Sequence, residues 1–170
     1  MSKFNRIGES KPGPLEILSV RVLREPDENP DLSHLGEYSD TPGPDAIDRG
    51  SSTDRYRYFN PAMTGDETGY PDSPLQDYER MEAYECGDWY MLGIRAEARI
   101  RNPETCVVHE ISSGGLWGIE SDSDTGSDGA DNGYLGDIER QELQALAVEL
   151  LALGIPRATI NTAFEHVKRG

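Results

Sequence analysis

The residues best placed to do chemistry are carboxylates, and they come in two runs. Residues 26–54 hold eight acids (Asp27, Glu28, Asp31, Glu37, Asp40, Asp45, Asp48 and Asp54) against one base, Arg49. Residues 120–142 hold eight more (Glu120, Asp122, Asp124, Asp128, Asp131, Asp137, Glu139 and Glu142) against Arg140. Each run is net −7, so together they carry 14 of the 16 formal negative charges of the 170-residue chain. The other 118 residues, with 16 acids and 14 bases, are almost neutral. Adaptation to a salty cytosol would spread acids over the whole surface, and confinement to two runs argues against it. Dense carboxylates can hold a divalent cation, move protons, or present a polyanionic surface.

The metal reading is weak. In residues 122–132, DSDTGSDGADN, a calcium loop counted from Asp124 puts Asp128 at position 5 and Gly129 at position 6. Position 3 is then Gly126 and position 12 is Leu135, so the bidentate acid is missing. A solvated loop that caps the following helix through Asp131 or Asn132 fits better, and a calcium loop using Asp122–Asp131 stays as an alternative. No metal site and no cofactor are expected.

Catalysis finds little support. His34, His109 and His166 are isolated, without the spacing of a zinc motif. Cys106 and His109 are three apart, which places them on opposite faces of a regular strand. Ser112 and Ser113 lie beside Gly114 without a nucleophile elbow. The glycine-rich stretch there has no phosphate-binding lysine, and the acids after it repel phosphate. The sequence therefore reads as non-enzymatic.

What remains is the polyanion. Duplex DNA carries one charge per ~1.7 Å of axis, so fourteen charges match roughly 24 Å of duplex. A face bearing both runs could occupy a protein groove built for phosphate. The candidate contact residues are Glu120, Asp122, Asp124, Asp128, Asp131, Asp40, Asp45 and Asp48, with Trp117 beside them. Trp117 sits among glycines next to an acid run, where it is either a core plug that anchors the loop or an exposed contact. The expected partner is a basic surface on a bacterial nucleic-acid-binding protein or complex. Direct binding to nucleic acid or to an anionic membrane is not expected of so acidic a chain. No apolar run is long enough to span a membrane, and two cysteines, Cys86 and Cys106, suit a reducing cytoplasm.

The elements that must position these residues read as α+β. The length suggests one domain over residues 1–170, with residues 1–14 a loose terminus. Residues 15–24 alternate as a strand, with Leu18, Val20 and Val22 on one face. Residues 26–72 read as an irregular acidic connection anchored by islands at 32–38 and 56–59, the second a short edge strand. Ser73-Pro74-Leu75-Gln76 starts a helix with Ser73 as cap, and Gly87 stops it. Residues 89–101 and 105–113 form an antiparallel hairpin with one wet face, carrying Arg95, Glu97, Arg99 and Arg101. A helix over 135–153 has an apolar stripe of Ile138, Ala145, Leu146, Leu150 and Leu153, and stops at Gly154 with Ile155 packing back. Pro156 opens a last helix with Ile160, Ala163, Phe164 and Val167 inward, and His166, Lys168 and Arg169 at its C-terminal end. The expected fold is a small, mainly antiparallel sheet packed against a C-terminal helical hairpin and one short helix, with a long irregular N-terminal half.

Several stretches resemble one family. LGEYSDTPGP at 35–44, YRYFNP at 56–61, QDYERMEAYECGDWYMLGIRAEA at 76–98 and ISSGGLWGIESDS at 111–123 look like uncharacterised proteins carried by bacterial phages, plasmids and integrative elements. The resemblance spans about residues 30–155, and GLWGIESDS is its distinctive part. It carries over no catalytic residue. The acidic run here continues past Ser123 into DTGSDGADNG, beyond the family's usual loop. The resemblance implies a mobile-element protein that counters a host defence, such as a DNA-mimic-like inhibitor of a CRISPR or restriction complex. An adaptor that binds a host protein through the helical hairpin is the remaining alternative.

Overall fold

The computed structural model describes residues 15–50, 56–123 and 133–169, with side chains to residue 167. In chain order the elements are β1 (Glu16–Pro26), β2 (Gly36–Ser39), β3 (Ile47–Asp48), β4 (Tyr58–Pro61), α1 (Gly65–Thr68), α2 (Ser73–Cys86) and β5 (Met91–Arg101). They are followed by β6 (Val108–Ser112), β7 (Leu116–Glu120), α3 (Tyr134–Ala152), α4 (Arg157–Phe164) and β8 (Lys168–Arg169). The fold is α+β, a mainly antiparallel arrangement with a C-terminal helical pair. It divides into two compact units, one of residues up to 25, 93–117 and from 124 onward, the other of residues 26–92 and 118–123.

The first unit is built on a five-stranded sheet ordered β6-β5-β1-β8, with β7 also paired to β5. β5 and β6 are antiparallel, with Ala98 opposite Ile111 and Arg99 opposite Glu110. The apolar parity of β5 is buried as expected, with Ile94, Ala96, Ala98 and Ile100 inside. The opposite parity is drier than its charges suggest. Glu97 is buried because Arg21 of β1 reaches it, Nε to Oε1 at 2.8 Å. Arg95 is tied to Glu25 at 2.9 Å and Arg101 to Glu16 at 3.0 Å. Cross-strand ion pairs thus cover Glu97 and part of Arg95, while Arg99 stays exposed on the wet face.

α3 buries Leu135, Ile138, Leu146 and Leu150, but Ala145 and Leu153 are exposed. The buried stripe instead includes Glu139, which Arg24 satisfies through Nε and Nη2 at 2.9 and 2.7 Å. The helix stops at Gly154 as its sequence indicates. Gly154 is left-handed, Ile155 N–H donates to the Leu150 carbonyl at 3.1 Å, and the Ile155 side chain is buried. α4 ends at Phe164, earlier than expected. Lys168 and Arg169 do not extend its C-terminal end. They form β8, which pairs in parallel with Arg21 and Val22 of β1.

The second unit covers most of the stretch expected to be irregular. It contains a three-stranded antiparallel sheet ordered β2-β4-β3. The island expected to be an edge strand is therefore the central one. Phe59 of β4 is fully buried, with the rings of Tyr38 and Tyr78 each 5.6 Å from its own. Leu35, Met81, Trp89 and Met91 complete this core. Gly36 is required where β2 meets β4. Its φ is +142°, and a Cβ there would overlap the Asn60 carbonyl. In α2, Ser73 is the first helical residue, and its hydroxyl bonds Thr68 Oγ1 at 2.7 Å. The preceding Asp72 makes no side-chain cap. Gly87 ends the helix in the left-handed region, with Asp88 N–H donating to the Ala83 carbonyl at 2.9 Å.

Candidate functional site

Residues 26–92 and 118–123 carry eighteen carboxylates against Arg49, Arg55, Arg57 and Arg80, with no lysine, for a net charge of −14. The rest of the chain has fourteen acids and twelve bases, net −2. The excess charge is therefore a property of one folded unit. The 120–142 run does not stay together. Glu120 and Asp122 belong to the acidic unit, and Asp124, Asp128 and Asp131 lie outside the described residues. Asp137, Glu139 and Glu142 belong to the other unit. There they are used locally, by Arg140, by Arg24 and by the Gly115 N–H at 3.1 Å.

The missing charge comes from residues 66–88, which hold Asp66, Glu67, Asp72, Asp77, Glu79, Glu82, Glu85 and Asp88 against Arg80 alone. The signal was present in the sequence. Averaging this stretch with the basic N-terminal residues and the arginines of β5 concealed it.

The described arginines of the acidic unit are each paired with its own carboxylates. The Arg80 guanidinium stacks over Trp89 at 3.8 Å and forks to Asp122 at 2.6 and 2.7 Å. It also donates to Glu120 at 2.8 Å. Trp89 Nε1 donates in turn to the Arg80 carbonyl at 3.0 Å, which fixes the ring under the guanidinium. The hydrogen bond from Arg80 holds the Asp122 carboxyl below its ordinary range. His34 Nε2 lies 3.7 Å from Glu120, so the head of the second run touches the first within one unit.

Arg49 lies over the Tyr38 ring at 4.2 Å and donates to Glu82 at 3.1 Å. The Tyr38 hydroxyl donates to the same carboxylate at 2.8 Å. Burial first, and then this bond, push the Tyr38 phenol well above its ordinary range. Arg57 pairs with Asp48 at 2.8 Å and lowers its carboxyl.

Of the remaining sequence candidates, Asp45 is left-handed at φ +51° and accepts the Gly65 N–H through Oδ2 at 3.0 Å. Asp40 is exposed and has no ion pair among the described residues. The same holds for Glu28, Glu37, Asp66, Asp72, Glu79 and Glu85. Trp117 is 45% exposed and is grouped with the other unit, where its indole covers Gly93. A Cβ at Gly93 would overlap that ring, so Trp117 both closes the strand and shows an edge to solvent.

Among the described residues no group of three or more His, Cys, Asp or Glu could hold a metal ion. The Cys106–His109 dyad is not built into one strand. Cys106 is in the turn before β6 at φ +57°, and His109 is on β6 opposite Ile100. Ser113 is buried, and its hydroxyl accepts the Ala96 N–H at 2.9 Å, a structural use. No described helix is long and apolar enough to cross a membrane. The first unit has an open groove of about 670 Å³ lined by Leu18, Val20, Ala158, Thr162, Ala163 and His166. No protein-family model matches the chain, and neither a curated protein nor a solved structure matches it significantly.

Proposed function

We propose that this is a non-enzymatic, acidic interaction protein of a mobile genetic element. Its acidic unit engages the basic surface of a bacterial nucleic-acid-binding complex, such as a CRISPR or restriction assembly, in place of phosphate. One observation carries the reading: 14 of 16 net charges sit in a single folded unit whose described arginines are already bonded to its own carboxylates. The unit therefore has acids to offer a partner and no described arginine without a carboxylate of its own. Complementary potentials of this size speed encounter and select partners by charge.

The test is displacement of labelled duplex from a panel of purified CRISPR and restriction complexes. Inhibition that weakens steeply between about 50 mM and 200 mM salt supports the reading, since phosphate-groove binding has that dependence. Failure to displace duplex from any complex at low salt overturns it. The adaptor reading draws on the groove beside α4. It is favoured if neutralising the acids leaves partner capture intact.

A further inference from the structure

The acidic unit contains an open groove of about 400 Å³. Ile47, Pro71 and Leu75 form apolar parts of its lining, and Asp45, Asp66 and Asp72 supply the carboxylates. Leu75, in the first turn of α2, is half exposed there. None of the three acids has an ion pair among the described residues. The unit cannot supply a cation to the groove from its described residues. It contains no lysine, and Arg49, Arg57 and Arg80 are bonded to Glu82, Asp48 and the Glu120–Asp122 pair.

Apolar walls with carboxylates around them suit an arginine side chain. A methylene stem lies against proline and leucine, and a planar fork of donors ends among carboxylates. Asp45 has its Oδ2 engaged by Gly65, which fixes its carboxylate in place. Building on the reading that this unit meets a basic partner, we propose that the groove is where a partner's arginine side chain inserts. The occupant is thus an arginine-bearing loop of a protein.

Calorimetric titration of the full chain with acetyl-tetra-arginine amide at low salt tests this. Asp45→Asn, Asp66→Asn and Asp72→Asn together are expected to weaken binding at least about tenfold, as befits loss of forked charged bonds. Glu28→Gln, Glu37→Gln and Asp88→Asn make the same change in net charge outside the groove and are expected to weaken it less than about threefold. Leu75→Ser, which changes no charge, is expected to weaken it about threefold through the lost stem contact. A melting curve shows that each variant is folded, and the Leu75 variant keeps the test open if the Asp45 change unfolds the unit. Equal weakening by the two triple variants, with no effect of Leu75→Ser, overturns the groove and leaves the broader reading standing. No binding of the peptide to the unaltered protein overturns both.

Discussion

Replacing Arg80 with Gln tests whether the acidic unit depends on its internal cations. The guanidinium is 29% exposed, and Glu120 and Asp122 are 34% and 44% exposed, so each ion pair is partly screened. The forked Asp122 pair is therefore worth about 1 kcal/mol and Glu120 adds about 0.5 kcal/mol. Stacking on Trp89 adds about 1 kcal/mol. Arg80→Gln should thus destabilise the protein by about 2.5 kcal/mol at pH 7, read from urea unfolding followed by tryptophan fluorescence. Arg80→Lys keeps the charge but loses fork and plane, and should retain about half.

The pH dependence has a definite sign. Asp122 has a lowered folded-state pKa, so its contribution is complete above the unfolded value of about 3.9 and is lost as pH falls through the folded value. The gap between the native chain and Arg80→Gln should therefore be constant above pH ~5 and should shrink below pH ~4. A loss under about 0.5 kcal/mol for Arg80→Gln, or a gap unchanged by acid, would refute the assignment.

Other perturbations probe separate features. Gly93→Ala should cost about 2 kcal/mol by driving a methyl into the Trp117 indole. In a Trp117→Ala background the same change should cost less than half as much, as a double-mutant cycle by denaturation would show. Arg24→Ala should cost about 2–3 kcal/mol, because it strips the described cation from a buried Glu139, and thermal unfolding measures it. In ultraviolet titration Tyr38 should stay protonated well past the ordinary phenol range, and Tyr38→Phe should remove that late component. Gly87→Ala should cost about 1 kcal/mol in melting experiments, since its left-handed backbone suits only glycine well.

The three longer helices and the hairpin were legible because their signals are local, whereas α1 lay inside the stretch read as irregular. The period of 135–153, the stop signals at Gly87 and Gly154, and the alternation of 89–101 each need only neighbouring residues. The β2-β4-β3 sheet was not legible. Its strands of four, two and four residues are too short to alternate, and they are joined by Phe59 contacts made across the chain. The two buried glutamates were hidden for a related reason. Their arginines lie 76 and 115 residues away, so sequence alone showed Glu97 as a wet-face charge and Glu139 as one acid of a run. Of the candidate site, the abundance of acid was visible and its assignment was not. Folding brought 66–88 beside 26–54 and removed 133–142 to the other unit. Ser73 illustrates the limit of a local rule, since a competing hydroxyl at Thr68 takes the bond that a cap would use.

The division of charge also divides the chain's reactive amines. All three lysines, Lys3, Lys11 and Lys168, fall outside residues 26–92 and 118–123. Amine-directed dyes, biotin esters and surface coupling will therefore leave the carboxylate-rich unit chemically intact, so such conjugates suit partner capture. Lysine–lysine cross-linkers will return no anchor from that unit even when a partner is seated on it. Carbodiimide coupling, which joins a carboxylate to a partner's amine, is the chemistry that would record such a contact.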